Sequence, residues 1–486
     1  MAERRPVFGG WAARRGLPPM VQRHPVEVRP IESASYRLLI LVGRPLWAYR
    51  TEAAEAALVL LGWCLLARVL PGWAALLLIV LTVAGALAAP VIRRRALGTL
   101  GRGRLLRGWE SAARHAGLAT LNDRIPKVRR VEQIPAGELL RVRVADGGRV
   151  SELEDAAEVL AAMLEVREVK VTRDRANARY ASVAVIRRDP LAVDAPRPWP
   201  LAAAPRLSLW DPIPVGVDEQ GRPVTVRLVE RNLLLGGEPG AGKSVAQSLL
   251  TAAAALDPDA ELVLLDGKQV ELAPWAPCAL RVVGPDVAAA VAVLDELRVE
   301  MDARYEVLLH ERRRKVSPGD GLPLRLVVID ELAFYLSIGE RKEITAFATG
   351  LRDLVSRGRA AGIIVVAATQ KPAHDIVPTG VRDLFAFRWA LRCTTPQASD
   401  TILGSGWASL GYSAADVDAA ARGVGYLLAE GGEPTRLRSY HLDDAALGEL
   451  AARAAALRAS TGSGAEQPAQ ASPMPASLSA VSGTER

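Results

Sequence analysis

Cysteine is scarce in this 486-residue chain: Cys64, Cys278 and Cys393 lie far apart, with no C-x-x-C pair. Neither a disulfide framework nor a thiolate zinc site is indicated, which suits a reducing compartment for the bulk of the chain. Histidine is also sparse, five scattered residues, so no structural metal is expected. Lysine is rarer than usual, seven residues against 54 arginines in an alanine-rich chain, a bias that GC-rich genomes tend to encode. The net charge of +7 is uneven. Residues 1–50 carry +6 and residues 51–109 carry +5, which leaves −4 for residues 110–486. Overall charge is therefore no argument for nucleic-acid binding, and any such surface must be a local patch.

Half the residues are hydrophobic, and the mean hydropathy is slightly positive. Much of that apolar excess lies in two runs, Ala53 to Leu70 and Trp73 to Ile92, separated by Pro71-Gly72. Each is about long enough to cross a hydrocarbon core near 30 Å thick. Arginines flank the pair on both sides, Arg93, Arg94 and Arg95 among them, which predicts a two-span hairpin with both termini and the main domain in the cytoplasm. The first run starts too far from Met1 to read as a signal peptide. The plainer reading is a buried helical hairpin in a soluble domain.

The chain then divides into expected domains. Residues 1–52 form a basic cytoplasmic arm, 53–92 the membrane hairpin and 93–138 a basic juxtamembrane segment. A small α/β domain covers 139–190, with one amphipathic helix from Ser151 to Leu164. A Pro- and Ala-rich linker covers 191–206, and the main domain 207–445. An Ala-rich helix and a disordered tail cover 446–486. Long apolar strands alternating with helical stretches predict a mostly parallel sheet covered on both faces.

The chemistry concentrates at Gly237-Glu238-Pro239-Gly240-Ala241-Gly242-Lys243-Ser244, followed by Val245 and a helix-forming stretch. Small residues let the backbone curl so that successive N–H groups point at phosphate oxygens, and a helix N-terminus adds its positive end. Lys243 would bridge the β- and γ-phosphates, and Ser244 would hold Mg²⁺. The plainer reading of the loop is a Gly-rich turn between a strand and a helix. Leu324 to Glu331 supplies the second motif, an apolar strand ending in Asp330 for the Mg²⁺ shell and Glu331 to polarise the attacking water. Further along, Thr369-Gln370 closes another strand, where Gln370 either senses the γ-phosphate or caps a loop. Leu264-Leu-Asp-Gly-Lys268 ends a third strand with an acid and a base two apart. Arg312, Arg313, Arg314 and Lys315 form the densest basic run of the main domain, read either as a solvated loop face or as a local patch that grips a phosphate backbone.

The ordered series resembles the FtsK/SpoIIIE DNA-translocating ATPases. It comprises these motifs, Glu300 to Tyr305, Gly358 to Gly362 with Ala368 to Pro372, then Arg388 and Asp400 to Leu403. The resemblance implies an α/β fold: a RecA-like P-loop NTPase motor preceded by a small α/β domain, here behind a transmembrane hairpin. It further implies ATP and Mg²⁺ as cofactors, double-stranded DNA and the cell membrane as partners, and a homo-hexameric ring. Lys243, Asp330, Glu331 and Gln370 would be catalytic, and one of Arg357, Arg359 and Arg388 would act in trans on a neighbour's nucleotide.

Asp266-Gly-Lys268 departs from the family's Asp-Pro-Lys, and no winged-helix module is evident. The chain looks most like actinobacterial conjugative plasmid-transfer (TraB/TraSA-like) proteins. A chromosome-segregation motor and a type VII-like protein-export ATPase are the competing readings.

Overall fold

The computed structural model describes residues 90–120, 122–192, 196–370, 379–429 and 431–460, with short pieces between 60 and 81. The chain divides into two units, Met1–Glu110 and Ser111–Arg486. The first contains most of helix α1, Pro90–His115. The expected membrane hairpin lies largely outside the described residues, as do the arm 1–52 and the tail beyond 460. Among the described residues no helix is long and apolar enough to cross a membrane.

The second unit opens with a four-stranded antiparallel sheet of β1 (Lys127–Ile134), β2 (Gly137–Arg143), β3 (Glu168–Arg173) and β4 (Tyr180–Ile186), in the order β1-β2-β4-β3. Its boundary differs from the expected one at 139, because β1 is an edge strand whose Lys127, Arg129, Arg130 and Glu132 hide the apolar alternation. The expected single helix is two, α2 (Val150–Asp155) and α3 (Ala157–Met163), which meet at Ala156 (φ −87°, ψ 0°).

The main domain is a ten-stranded sheet. Its strands are β5 (Ile213–Asp218), β6 (Pro223–Val226), β7 (Leu233–Gly236), β8 (Ala260–Leu265), β9 (Ala279–Val283), β10 (Leu324–Ile329), β11 (Ile363–Thr369), β12 (Phe387–Leu391), β13 (Val424–Leu428) and β14 (Thr435–Ser439). The order is β6-β5-β14-β13-β12-β7-β11-β10-β8-β9. Strands β12 through β9 pair in parallel, whereas β13, β14, β5 and β6 extend the sheet antiparallel. The mostly parallel expectation thus describes six of the ten strands.

Alternation along the central strands sends Leu233, Leu235, Leu326 and Val328 to one core and Leu234, Val327 and Ile329 to the other. Helix α4 (Lys243–Ala255) covers the first face; α5 (Val287–His310) and α7 (Arg341–Arg357) cover the second. Each fully buried Leu or Ile contributes roughly 1.5–3 kcal/mol, so a strand buried on both faces is held far more firmly than an edge strand.

The stretch expected as a linker is packed. Trp199 is buried and donates its indole N–H to Pro214 O at 2.8 Å. The Ala-rich helix, α10 (Asp444–Ser460), is likewise part of the domain. Leu450, Ala451 and Ala454 sit in the first core, and Arg458 donates to Ala254 O and Asp257 O at the end of α4. A basic side chain there adds a charged donor to carbonyls at the negative end of the helix.

Candidate nucleotide site

Strand β7 is buried along its length and delivers the chain to the loop 237–242 at the carboxyl edge of the parallel half. The loop curls through Gly240 (φ 77°) and Gly242 (φ 101°), left-handed conformations that side chains disfavour. At Gly242 the constraint is double, since a Cβ would lie 2.9 Å from Gly423 N.

The loop is also held from outside. Gly237 N–H donates to Thr369 O at 3.3 Å, Glu238 N–H to Arg392 O at 2.9 Å, and Gly423 N–H to Ala241 O at 2.9 Å. The Glu238 carboxylate pairs with Arg392 at 2.9 Å. Helix α4 then begins at Lys243, and Gln247 Nε2 donates to Ile329 O at 3.0 Å, tying it to β10.

Because β7, β11, β10 and β8 run parallel, their carboxyl ends share one edge, and the expected residues converge there. Lys243 Nζ lies 3.5 Å from Asp330 Oδ1; Lys243 is 3% exposed and Asp330 0%. Neither that ammonium nor either Asp330 oxygen has a hydrogen-bond partner among the described residues. Burial pulls the Lys243 pKa below the ordinary lysine value, against the upward pull of Asp330. Buried charges left short of hydrogen bonds cost several kcal/mol each (~) unless a ligand completes them.

A magnesium nucleotide would fit that deficit, with Lys243 available as a phosphate donor and Ser244 and Asp330 as the groups that would hold the metal. Mg²⁺ takes one or two protein groups plus phosphate oxygens and water rather than a full protein cage. Glu331 is oriented separately: its carboxylate accepts from Thr369 Oγ1 at 3.0 Å and from Gln370 N–H at 3.1 Å. Pro239 and Val245 sit where the loop motif expects them, in the loop and in the first turn of α4.

One residue escaped sequence reasoning. Lys268, just past β8, brings Nζ to 3.3 Å from Asp330 Oδ2 and 3.7 Å from Glu331 Oε2. The signal was present in the Asp266-Gly-Lys268 strand end, but only the pairing of β8 with β10 aims it into the site.

The three arginines considered for a trans role are not brought to Lys243. Arg357 pairs with Asp302 and with Asp353, and Arg388 pairs with Asp383 at 3.5 Å. Burial lowers the Arg388 pKa. Arg359 makes no ion pair among the described residues, and it lines a cleft of about 430 Å³ with Asp383, Arg388 and Trp407. The basic run is partly spoken for: Arg313 pairs with Glu311 and Asp320, and Lys315 with Glu230. The Glu300 to Tyr305 motif is structural. Arg304, 4% exposed, donates to Ala361 O and Pro323 O and pairs with Glu300.

Residues 208–405 match the family model described as FtsK/SpoIIIE family. That match covers 198 of the chain's 486 residues. It is 30% identical over 205 residues to DNA translocase SftA of Bacillus subtilis (strain 168), covering 39% of this chain and 21% of that protein. It is 28% identical over 215 residues to DNA translocase FtsK of Staphylococcus aureus (strain Mu50), covering 40% and 27%. The match thus spans about a quarter of those relatives' lengths. Among solved structures, the pCW3 conjugation coupling protein TcpA gives a TM-score of 0.46 at 16% identity, over 71% of this chain and 98% of that one. EssC (ATPases 2 and 3) from Geobacillus thermodenitrificans also gives 0.46 at 16% identity, over 55% and 52%.

Proposed function

We propose that this FtsK/SpoIIIE-family chain hydrolyses ATP to move double-stranded DNA. The observation that carries the reading is the meeting of Lys243, Asp330 and Glu331 at one sheet edge, with the Lys243 and Asp330 charges buried and short of partners. Lys243 binds and orients the β- and γ-phosphates, and the curled loop presents its N–H groups to them. Glu331, held by Thr369 and Gln370, takes a proton from the attacking water at its carboxylate. Mg²⁺, when bound, neutralises charge developing on the phosphate oxygens. Because Gln370 N–H holds Glu331, a change at the γ-phosphate would reach the carboxyl end of β11.

DNA as the substrate rests on the names of the relatives, which are DNA translocases. Arg312 and Arg314, which make no ion pair among the described residues, are the groups of the basic run left to grip a phosphate backbone. Duplex DNA should therefore stimulate ATP hydrolysis in a salt-sensitive way, and neutralising Arg312 and Arg314 should lower that stimulation while sparing basal turnover. Equal turnover with and without duplex would remove the DNA reading. Stimulation by a secretion-type peptide instead would favour the protein-export reading.

In a homo-hexameric ring Arg359 is the best placed of the three arginines to complete a neighbour's site. It precedes β11, whose far end is at the nucleotide, and seven strand residues span roughly 23 Å. It therefore serves a neighbour rather than its own loop. Mixing Arg359→Ala subunits with Lys243→Ala subunits should restore turnover at mixed interfaces; no recovery would reject the trans role.

The finer reading is a motor tethered to the cell membrane by the two apolar runs and moving plasmid or integrative-element DNA between cells. Chromosome segregation is the alternative. The arginine-rich, lysine-poor composition suits a GC-rich mobile element, and loss of transfer in a Lys243→Ala donor with normal chromosome partition would separate the two.

A further inference from the structure

Lys268 belongs to neither nucleotide motif, yet its ammonium ends between the two acidic groups of the site, 3.3 Å from Asp330 Oδ2 and 3.7 Å from Glu331 Oε2. Its Nζ is shut from solvent and has no hydrogen-bond partner among the described residues. An ammonium loses strong hydration on burial, so only the two carboxylates keep it there.

The backbone prepares the placement. Asp330 N–H donates to Leu265 O at 3.0 Å, so the residues leaving β8 emerge beside Asp330. Asp266, 3% exposed, then accepts the N–H groups of Lys268 (3.1 Å), Gln269 (2.9 Å) and Leu272 (3.0 Å). That clamp fixes the turn, in which Gln269 takes φ 64°.

We infer that Lys268 is a tethered counter-ion for Asp330 and Glu331 in the nucleotide-free site, and that it must release Asp330 for a metal to bind there. An ammonium and a divalent cation cannot both contact one carboxylate oxygen set without strong repulsion in a buried site. Lys268 therefore has two effects: it stabilises the empty site and lowers its metal affinity. It is a positioning residue, since it acts through Asp330 and Glu331.

The metal arm rests on the nucleotide reading proposed above, whereas the metal-free arm reads the ion pairs alone. In the purified full chain with chelator, Lys268→Gln should lower the unfolding temperature by roughly 2–6 °C, and Lys268→Arg should hold it near wild type. With a non-hydrolysable ATP analogue present, the Mg²⁺ concentration for half-maximal thermal shift should fall roughly tenfold in Lys268→Gln. An unchanged unfolding temperature in chelator, or a Mg²⁺ requirement that is unchanged or raised, would overturn the inference. If Lys268→Gln does not fold, Lys268→Gln with Glu331→Gln should fold, because one of the two carboxylates needing a counter-ion is gone and Asp330 keeps Lys243; failure of that pair also overturns it. Loss of analogue binding by the wild-type chain would instead count against the nucleotide reading.

Discussion

The two halves of the ten-stranded sheet differ in what they can carry. In the parallel half, β9 to β12, the central strands are buried on both faces, and neighbouring carboxyl ends open on one edge. Lys243, Lys268, Asp330, Glu331 and Thr369 all meet there. The antiparallel half alternates strand direction, so its ends share no edge, and β6 and β14 leave residues at the surface. Its side chains make joints instead. Glu219, just past β5, pairs with Lys170 of the small sheet at 2.5 Å, and Arg222 pairs with Glu132 at 3.1 Å. One half concentrates unsatisfied charge for chemistry, and the other spreads satisfied charge over a seam.

If that division is right, substitutions in the two halves should differ in kind. The largest effect is expected at Lys243→Ala: hydrolysis falls by roughly a thousandfold or more, because the donor to the phosphates is removed. Turnover near wild type would break the site assignment. Glu331→Gln should lower turnover by roughly 10²–10⁴-fold while nucleotide affinity, read by equilibrium titration, stays within a few fold.

Asn232 tests the rigidity of the same half. It is fully buried, donates to Val355 O at 2.8 Å and accepts from Val365 N–H at 2.7 Å, bridging α7 and β11. Asn232→Ala should cost about 2–4 kcal/mol in a denaturant titration, since two buried backbone groups lose their partner.

The smallest effect belongs to the seam. Lys170→Ala should cost no more than about 1 kcal/mol, as exposed pairs do. Burial lowers the Lys170 pKa, but the Glu219 carboxylate more than reverses this, so the folded value is raised. The contribution is therefore full at neutral pH and is lost as pH rises through the folded pKa, above the ordinary lysine range. A loss near pH 7 would contradict the pairing.

Legibility followed the same division. Strands β8, β10 and β11 were readable because burial on both faces demands continuous apolar runs, AELVLL, LRLVVI and IIVVAAT. Strands β1 and β14, KVRRVEQI and TRLRS, were not, since their charges face solvent or neighbouring acids and mask the alternation. The stretch 191–206 reads as a linker for a related reason. Pro and Ala suggested a tether, but the single Trp199 is enough to seat the segment on the core.

Local chemistry is what the sequence determined by itself: a loop rich in glycine before a helix, and an apolar strand ending in two acids. These need only neighbours along the chain, and their meaning survives without coordinates. Which distant residues share a site was decided by strand pairing alone. Lys268 faces Asp330 because β8 lies beside β10, and Glu331 is held by Thr369 because β11 lies on the other side. Pairing sums weak preferences over the whole sheet, so no short stretch of sequence contains it.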